Sequence, residues 1–168
     1  NKNSVVNFLN EKIIVSQDKA VYLADKNNQN KFEYELNLES GEEIISIFEF
    51  EEDIHLITNR SRIFAIDGKN IFELADFDIF INITPIVLPK NLILLSVFGD
   101  IYDVKLDDYS ISKKDNFILN PGISVKSNLF EDNTNLYYLF NSGTLLTFDK
   151  NNYDFYNNYL LEDLNILT

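Results

Sequence analysis

Apolar residues along this chain come in short runs, and the runs come in pairs. Four doublets share one layout: a short apolar run, a tight polar turn, a second apolar run, and a polar turn that usually opens with Asp. They are KIIVSQDKAVYLAD (Lys12 to Asp25), IHLITNRSRIFAID (Ile54 to Asp67), LILLSVFGDIYDVK (Leu92 to Lys105) and LYYLFNSGTLLTFD (Leu136 to Asp149). The turn centres Lys19, Ser61, Gly99 and Gly143 stand 42, 38 and 44 residues apart. The runs IFAID, DIYDV and TLLTF are rich in β-branched and aromatic residues and alternate in part, which is strand chemistry. Gly99 and Gly143 fall where a tight hairpin needs positive φ, and Asn59 and Asp18 serve that need less well.

Each doublet is flanked by two more strand candidates. Ser4 to Leu9, Ile44 to Phe50, Ile81 to Leu88 and Ile123 to Phe130 precede the doublets. Phe32 to Leu38, Ile71 to Phe77, Tyr109 to Lys113 and Tyr153 to Tyr159 follow them. Four strands repeating about every forty residues, with no helices between them, mark a propeller blade or a related β-array. The expected fold is all-β: about four four-stranded antiparallel blades in residues 4–40, 41–78, 79–118 and 119–160, one segment of a larger propeller spanning 1–168. EEDIHLI has helical composition, but the repeat frame makes it a strand, and Leu161 to Leu167 is expected to begin a fifth blade. Phe48, Phe50, Phe64, Phe98, Tyr102, Phe130 and Phe148 are the expected aromatic core.

Composition narrows the function. The chain has 168 residues, 45% of them hydrophobic and 24% charged, enough to fill a core and too apolar for a disordered chain. The net charge of −13 repels phosphate backbones and anionic headgroups, so neither a nucleic acid partner nor peripheral membrane binding is expected, and with no run of eighteen apolar residues no direct membrane insertion is expected either. A basic protein partner on an acidic face is the sharper reading of that charge. The absence of Cys excludes disulfides and thiolate metal sites. The chain contains no Met and opens on Asn1, so it is expected to be a segment of a longer protein or a processed form.

Chemistry is sparse. His55 is the sole histidine; it lies between Ile54 and Leu56 in a strand and should face away from both. Asp25, Asp67 and Asp149 recur after the third strand of a unit, but Lys105 replaces them in the third unit. A turn cap tolerates that exchange and a ring of calcium ligands does not. Glu42-Glu43, Glu51-Glu52-Asp53 and Asp107-Asp108 read as solvated edges. No phosphate loop, GxSxG, HExxH or CxxC is present, so no catalytic, cofactor or metal residue is assigned. Phe77 and Phe80, in the connection ADFDIFINITP, are the candidate contacts to a protein partner, or else they tuck under the next blade.

The third unit resembles a pyrroloquinoline-quinone-type (PQQ-like) propeller repeat. Thr84-Pro85-Ile86-Val87 matches its opening, Leu92 to Val97 its second strand, and Gly99-Asp100-Ile101-Tyr102 its third. The fourth unit repeats the pattern with Gly143-Thr144-Leu145-Leu146 and Asp149, while Lys19 and Ser61 replace the turn Gly in the first two. Quinone-dependent dehydrogenases of that family carry a Trp in each repeat and Cys near the cofactor. Here there is no Trp and no Cys, and Phe32 and Phe72 stand near the Trp position. The resemblance therefore leans to the non-enzymatic branch, typified by the propeller lipoprotein of the outer-membrane β-barrel assembly machine. It implies a protein-binding scaffold in the bacterial periplasm or at the outer membrane, lipid-anchored through a segment outside these residues. A portion of a quinoprotein, or a ligand-sensing propeller of a membrane-anchored receptor, are the alternatives.

Overall fold

Every doublet folds as the central hairpin of a four-stranded antiparallel sheet. The computed structural model describes residues 4–9, 12–17, 19–25, 31–116, 127–140, 144–149 and 155–160. The first sheet is β1 (Ser4–Leu9), β2 (Lys12–Gln17), β3 (Ala20–Asp25) and β4 (Lys31–Glu35), in that order. The second is β5 (Ile44–Phe50), β6 (Asp53–Thr58), β7 (Arg62–Asp67) and β8 (Asn70–Asp76). The third is β9 (Ile86–Val87), β10 (Asn91–Leu95), β11 (Asp100–Lys105) and β12 (Ile111–Asn116). The fourth is β13 (Ser127–Glu131), β14 (Asn135–Phe140), β15 (Thr144–Asp149) and β16 (Phe155–Leu160). No helix occurs among the described residues. The chain divides into two compact units, 1–117 with the first three sheets and 118–168 with the fourth.

Within the first unit the second sheet is buried on both faces. Side chains alternate along a strand, so Ile54 and Leu56 of β6 share one face and His55 and Ile57 the other. Ile54, Leu56, Phe64 and Ile66 join Ile14, Val21, Leu23 and Tyr34 of the first sheet in one apolar cluster. Phe48, Ile57 and Ile63 join Leu92, Leu94 and Val104 of the third sheet in another. This is why β6 is buried from Ile54 to Thr58 without a solvent face. Removing such surface from water stabilises by about 25 cal/mol per Å2, so two opposed clusters are the main force holding three sheets together.

The fourth sheet has its own core. Leu136 lies opposite Phe148, and Tyr138 opposite Leu146, on one face of β14 and β15. All four are buried, and the Tyr138 and Phe148 rings meet edge to face at 5.9 Å. At the start of this hairpin Asp132 accepts hydrogen bonds from the Thr134 and Asn135 N–H groups, each at 2.7 Å, and from the Tyr137 hydroxyl at 2.6 Å. These bonds, the Tyr137 bond foremost, hold its carboxyl well below the usual carboxylate range.

Three expectations change. The strand expected over Ile81 to Leu88 shrinks to Ile86–Val87 plus a single bridge between Ile81 and Ser96, because Pro85 and Pro89 flank it and cannot donate to a ladder. The last strand of the third unit begins at Ile111, because Asp108 accepts the Ser110 N–H at 2.8 Å and Tyr109 takes a φ of 54° in the turn before it. Phe98 is 74% exposed rather than in the core, because it sits at the tip of the β10–β11 turn. Phe48, Phe64 and Phe148 are buried as expected, while Phe50 and Tyr102 are half-buried. Gly143, Asp18, the Phe130 side chain and Leu161 to Leu167 lie outside the described residues.

Leu94 is fully buried in the cluster between the second and third sheets. Leu94→Ala is expected to cost about 2–5 kcal/mol, whereas Phe98→Ala should change stability by no more than about 0.5 kcal/mol. Urea unfolding of both variants beside the wild type measures this.

Candidate partner-binding site

The β6–β7 and β10–β11 turns are built alike. In the first, the Ser61 N–H donates to the Thr58 carbonyl at 2.9 Å; in the second, the Gly99 N–H donates to the Ser96 carbonyl at 3.0 Å. The Thr58 hydroxyl accepts the Arg60 and Arg62 N–H groups, both at 3.3 Å, and the Ser96 hydroxyl accepts those of Phe98 at 3.2 Å and Asp100 at 3.0 Å. Ser61 and Gly99 occupy the same left-handed position, with φ of 59° and 86°. Glycine reaches that region without a steric penalty. Ser61 is held there by burial and by its hydroxyl, which donates to the Ile79 carbonyl at 2.6 Å.

These turns clamp the connection that carries Phe77 and Phe80. The Ile81 N–H donates to the Asn59 carbonyl, and the Val97 N–H donates to the Phe80 carbonyl, each at 2.8 Å. Phe77 is half-buried and packs against the cluster between the second and third sheets. Phe80 is 44% exposed, with the Arg60 guanidinium 5.0 Å from its ring centre. The structure thus separates the two residues: Phe77 anchors the connection, and Phe80 shares an exposed end with Arg60 and the tip residue Phe98. Arg60 was not singled out from sequence, and Phe98 was expected in the core rather than at a contact surface. Their signal was the alignment of Ser61 with Gly99, since each precedes the left-handed residue of its turn.

A buried polar network supports this end from below. Glu42 was expected at a solvated edge, yet its side chain is fully buried. It accepts hydrogen bonds from the Thr58 hydroxyl at 2.7 Å, the Glu39 N–H at 2.8 Å and Arg62 at 2.8 Å. Arg62 also pairs with Glu73 and lies over the Phe64 ring at 5.0 Å. Its bond to Glu73, with the second to Glu42, raises the guanidinium further above its already high pKa. Asn59 ties the turn to the preceding connection, accepting the Glu43 N–H and donating to the Gly41 carbonyl, both at 3.1 Å. Each of these groups has a structural partner.

No protein-family model matches the sequence, and no curated protein does. Solved structures do. The N-terminal domain of Nup159 superposes with a TM-score of 0.66 at 11% identity, over 99% of this chain and 46% of that one. BamB of Moraxella catarrhalis superposes with a TM-score of 0.61 at 14% identity, over 88% of this chain and 49% of that one. The WD40 domain of fission yeast SCAP gives 0.57 at 10% identity, over 90% and 42%. The fold is that of a β-propeller. The propeller likeness read from the third repeat unit is thus matched in three dimensions, by BamB among others. The chain spans about half the length of these structures.

His55 sits in this propeller as a core residue, 3% exposed. It stacks on Phe48 at 5.4 Å and meets the edge of Phe50 at 5.8 Å. One ring nitrogen lies 3.2 Å from the Asp53 carbonyl and the other 3.2 Å from the Tyr109 hydroxyl. Burial lowers its pKa below the ordinary 6.5, against smaller opposing effects of Asp53 and Glu51. Among the described residues no cluster of three metal-ligating side chains exists.

Two outcomes follow from these contacts. Glu42→Ala leaves Arg62 and Thr58 facing a buried void, and is expected to destabilise by about 3–5 kcal/mol in urea unfolding. For His55, the unfolded chain takes up the proton first as pH falls, because the folded pKa is the lower one. The stability due to the neutral ring is complete above about pH 6.5 and declines below it. Unfolding free energy measured from pH 7.5 to 5 should therefore fall less steeply for His55→Phe than for wild type, and parallel slopes would refute this.

Proposed function

We propose that this chain is a non-catalytic protein-binding scaffold, with residues 4–40, 41–78, 79–118 and 119–160 as consecutive blades of one propeller segment. Phe80 is the contact residue, joined by Phe98, and Phe77 holds their connection in place. The observation that carries this reading is the clamped, solvent-facing pair of aromatics. Phe80 and Phe98 project from backbone fixed by hydrogen bonds from both neighbouring turns, so little conformational entropy remains to be lost on binding. Large aromatic side chains on rigid backbone are the usual anchors of protein interfaces. One of the matched structures holds Nup159 together with Dbp5 and Gle1, which lends support to a partner-binding use of such a fold. The finer reading, a role in outer-membrane protein assembly, is supported by the repeat resemblance and by the likeness to BamB.

The test is site-specific photocrosslinking in cells expressing the full-length protein. Benzoylphenylalanine replaces Phe80 or Phe98, and Ile111, exposed on an outer strand, serves as the control position. A discrete protein adduct at 80 and 98 but not at 111, with the adduct at 98 lost on Phe80→Ala, is the expected result. Equal labelling at all three positions, or none at 80 and 98, overturns the reading. An adduct with a component of outer-membrane assembly bears out the finer one, and an adduct with an unrelated protein rejects it.

A further inference from the structure

A second surface lies at the other end of β6 and β7. A cleft of about 410 Å3 runs across the second sheet there and is closed on its far side by the turn between β11 and β12. Strand register builds its floor. His55 lies opposite Ala65, and Ala65 opposite Phe72, so these three share the face toward the third sheet. The small side chain of Ala65 leaves the hollow between two rings. Leu74, the unpaired residue of β8 where the register shifts opposite Ile63 and Phe64, lines the cleft together with Phe72. Tyr109, held by its bond to His55, forms the opposite wall.

The cleft is ringed by negative charge. Glu51, Asp53, Asp67 and Asp107 line it, and among the described residues no ion pair engages any of them. His55 supplies no compensating charge, since burial keeps its ring neutral near pH 7. The carboxylates do not converge as a metal cluster. Aromatic side chains and carboxylates lining one cleft are instead the complement of an organic cation, which gains from both the ring quadrupole and the charge. The volume admits a side chain with its adjoining backbone rather than a bare ion. β8 is the outer strand of its sheet, and Phe72, 48% exposed, and Leu74 stand on it beside the cleft, so a strand-like occupant finds both an edge and a pocket.

We infer that this cleft receives an arginine or lysine side chain from an extended basic segment of a protein partner, with that segment lying along β8. The inference rests on the scaffold reading above and names the partner's chemistry at a second site, distinct from the end that carries Phe80.

The probe is a fluorescein-labelled nonapeptide alternating arginine with serine, titrated into the full-length protein and followed by anisotropy at about 0.15 M salt. Its citrulline counterpart keeps the shape and removes the charge. The arginine peptide should bind saturably, and the citrulline peptide about tenfold or more weakly. The pair Asp67→Asn and Asp107→Asn should weaken the arginine peptide about tenfold, and Phe72→Ala about threefold. Glu33→Gln with Glu35→Gln removes the same charge from exposed positions on β4 and should alter binding less than about twofold. Thermal melts of each variant confirm that the fold persists. Equal losses from the two charge-removing pairs, equal binding of the citrulline peptide, or no saturable binding overturns the inference. Its failure with adducts still forming at 80 and 98 removes this site alone, whereas peptide binding without those adducts removes the Phe80 site alone.

Discussion

The second sheet carries large apolar side chains on both of its faces, and a sheet of that kind is stable only between two neighbours. Ile54, Leu56, Phe64 and Ile66 need the first sheet, and Phe48, Ile57 and Ile63 need the third. Each sheet on its own would leave one such cluster in water, at a cost no hairpin can offset. The repeat is therefore more than a repeated shape. Within residues 1–117 it is a requirement that each four-stranded sheet meet the next face to face, as in other arrays stabilised by contacts between neighbours.

That packing leaves the polar backbone of turns and connections to be satisfied at the ends of the strands, and the two ends solve the problem differently. At the Phe80 end the solution is internal. Thr58 and Ser96 hydroxyls fill the turns, Asn59 and Ser61 tie neighbouring connections to them, and Glu42 with Arg62 completes a buried network. Polar groups so fully engaged make a rigid platform, and what projects from it is aromatic. At the other end, Glu51 and Glu52 take positive φ values of 50° and 71° in a two-residue turn that Asn-Gly would fit with less strain, and Glu51 with Asp53, Asp67 and Asp107 lines a hollow that also holds aromatic rings. One end is built to be stiff and apolar at its tip, the other to be acidic and concave.

The architecture was legible in the residues because strand pairing is local. The doublets at Lys12, Ile54, Leu92 and Leu136 appear as the two middle strands of their sheets, but the left-handed position of the second doublet falls on Ser61 and not on Asn59, where turn chemistry had placed it. His55 faces away from Ile54 and Leu56, as alternation along a strand requires. The candidate site was half legible. The connection bearing Phe77 and Phe80 stood out by composition, but which ring was anchored and which was free depended on hydrogen bonds to Asn59 and Val97, far away in sequence.

The order of strands, the turn positions and the need for neighbours were thus determined by the sequence alone, since they follow from period-two alternation and turn chemistry within about forty residues. Which acidic residues are buried and which line a cleft was decided by the tertiary structure. Glu42 and Glu51 are alike in composition and surroundings along the chain, yet one is enclosed by Thr58 and Arg62 and the other opens on Phe72 and Tyr109. A side chain's environment is set by what the neighbouring connection or sheet lays against it, and that depends on packing across tens of residues rather than on local pattern.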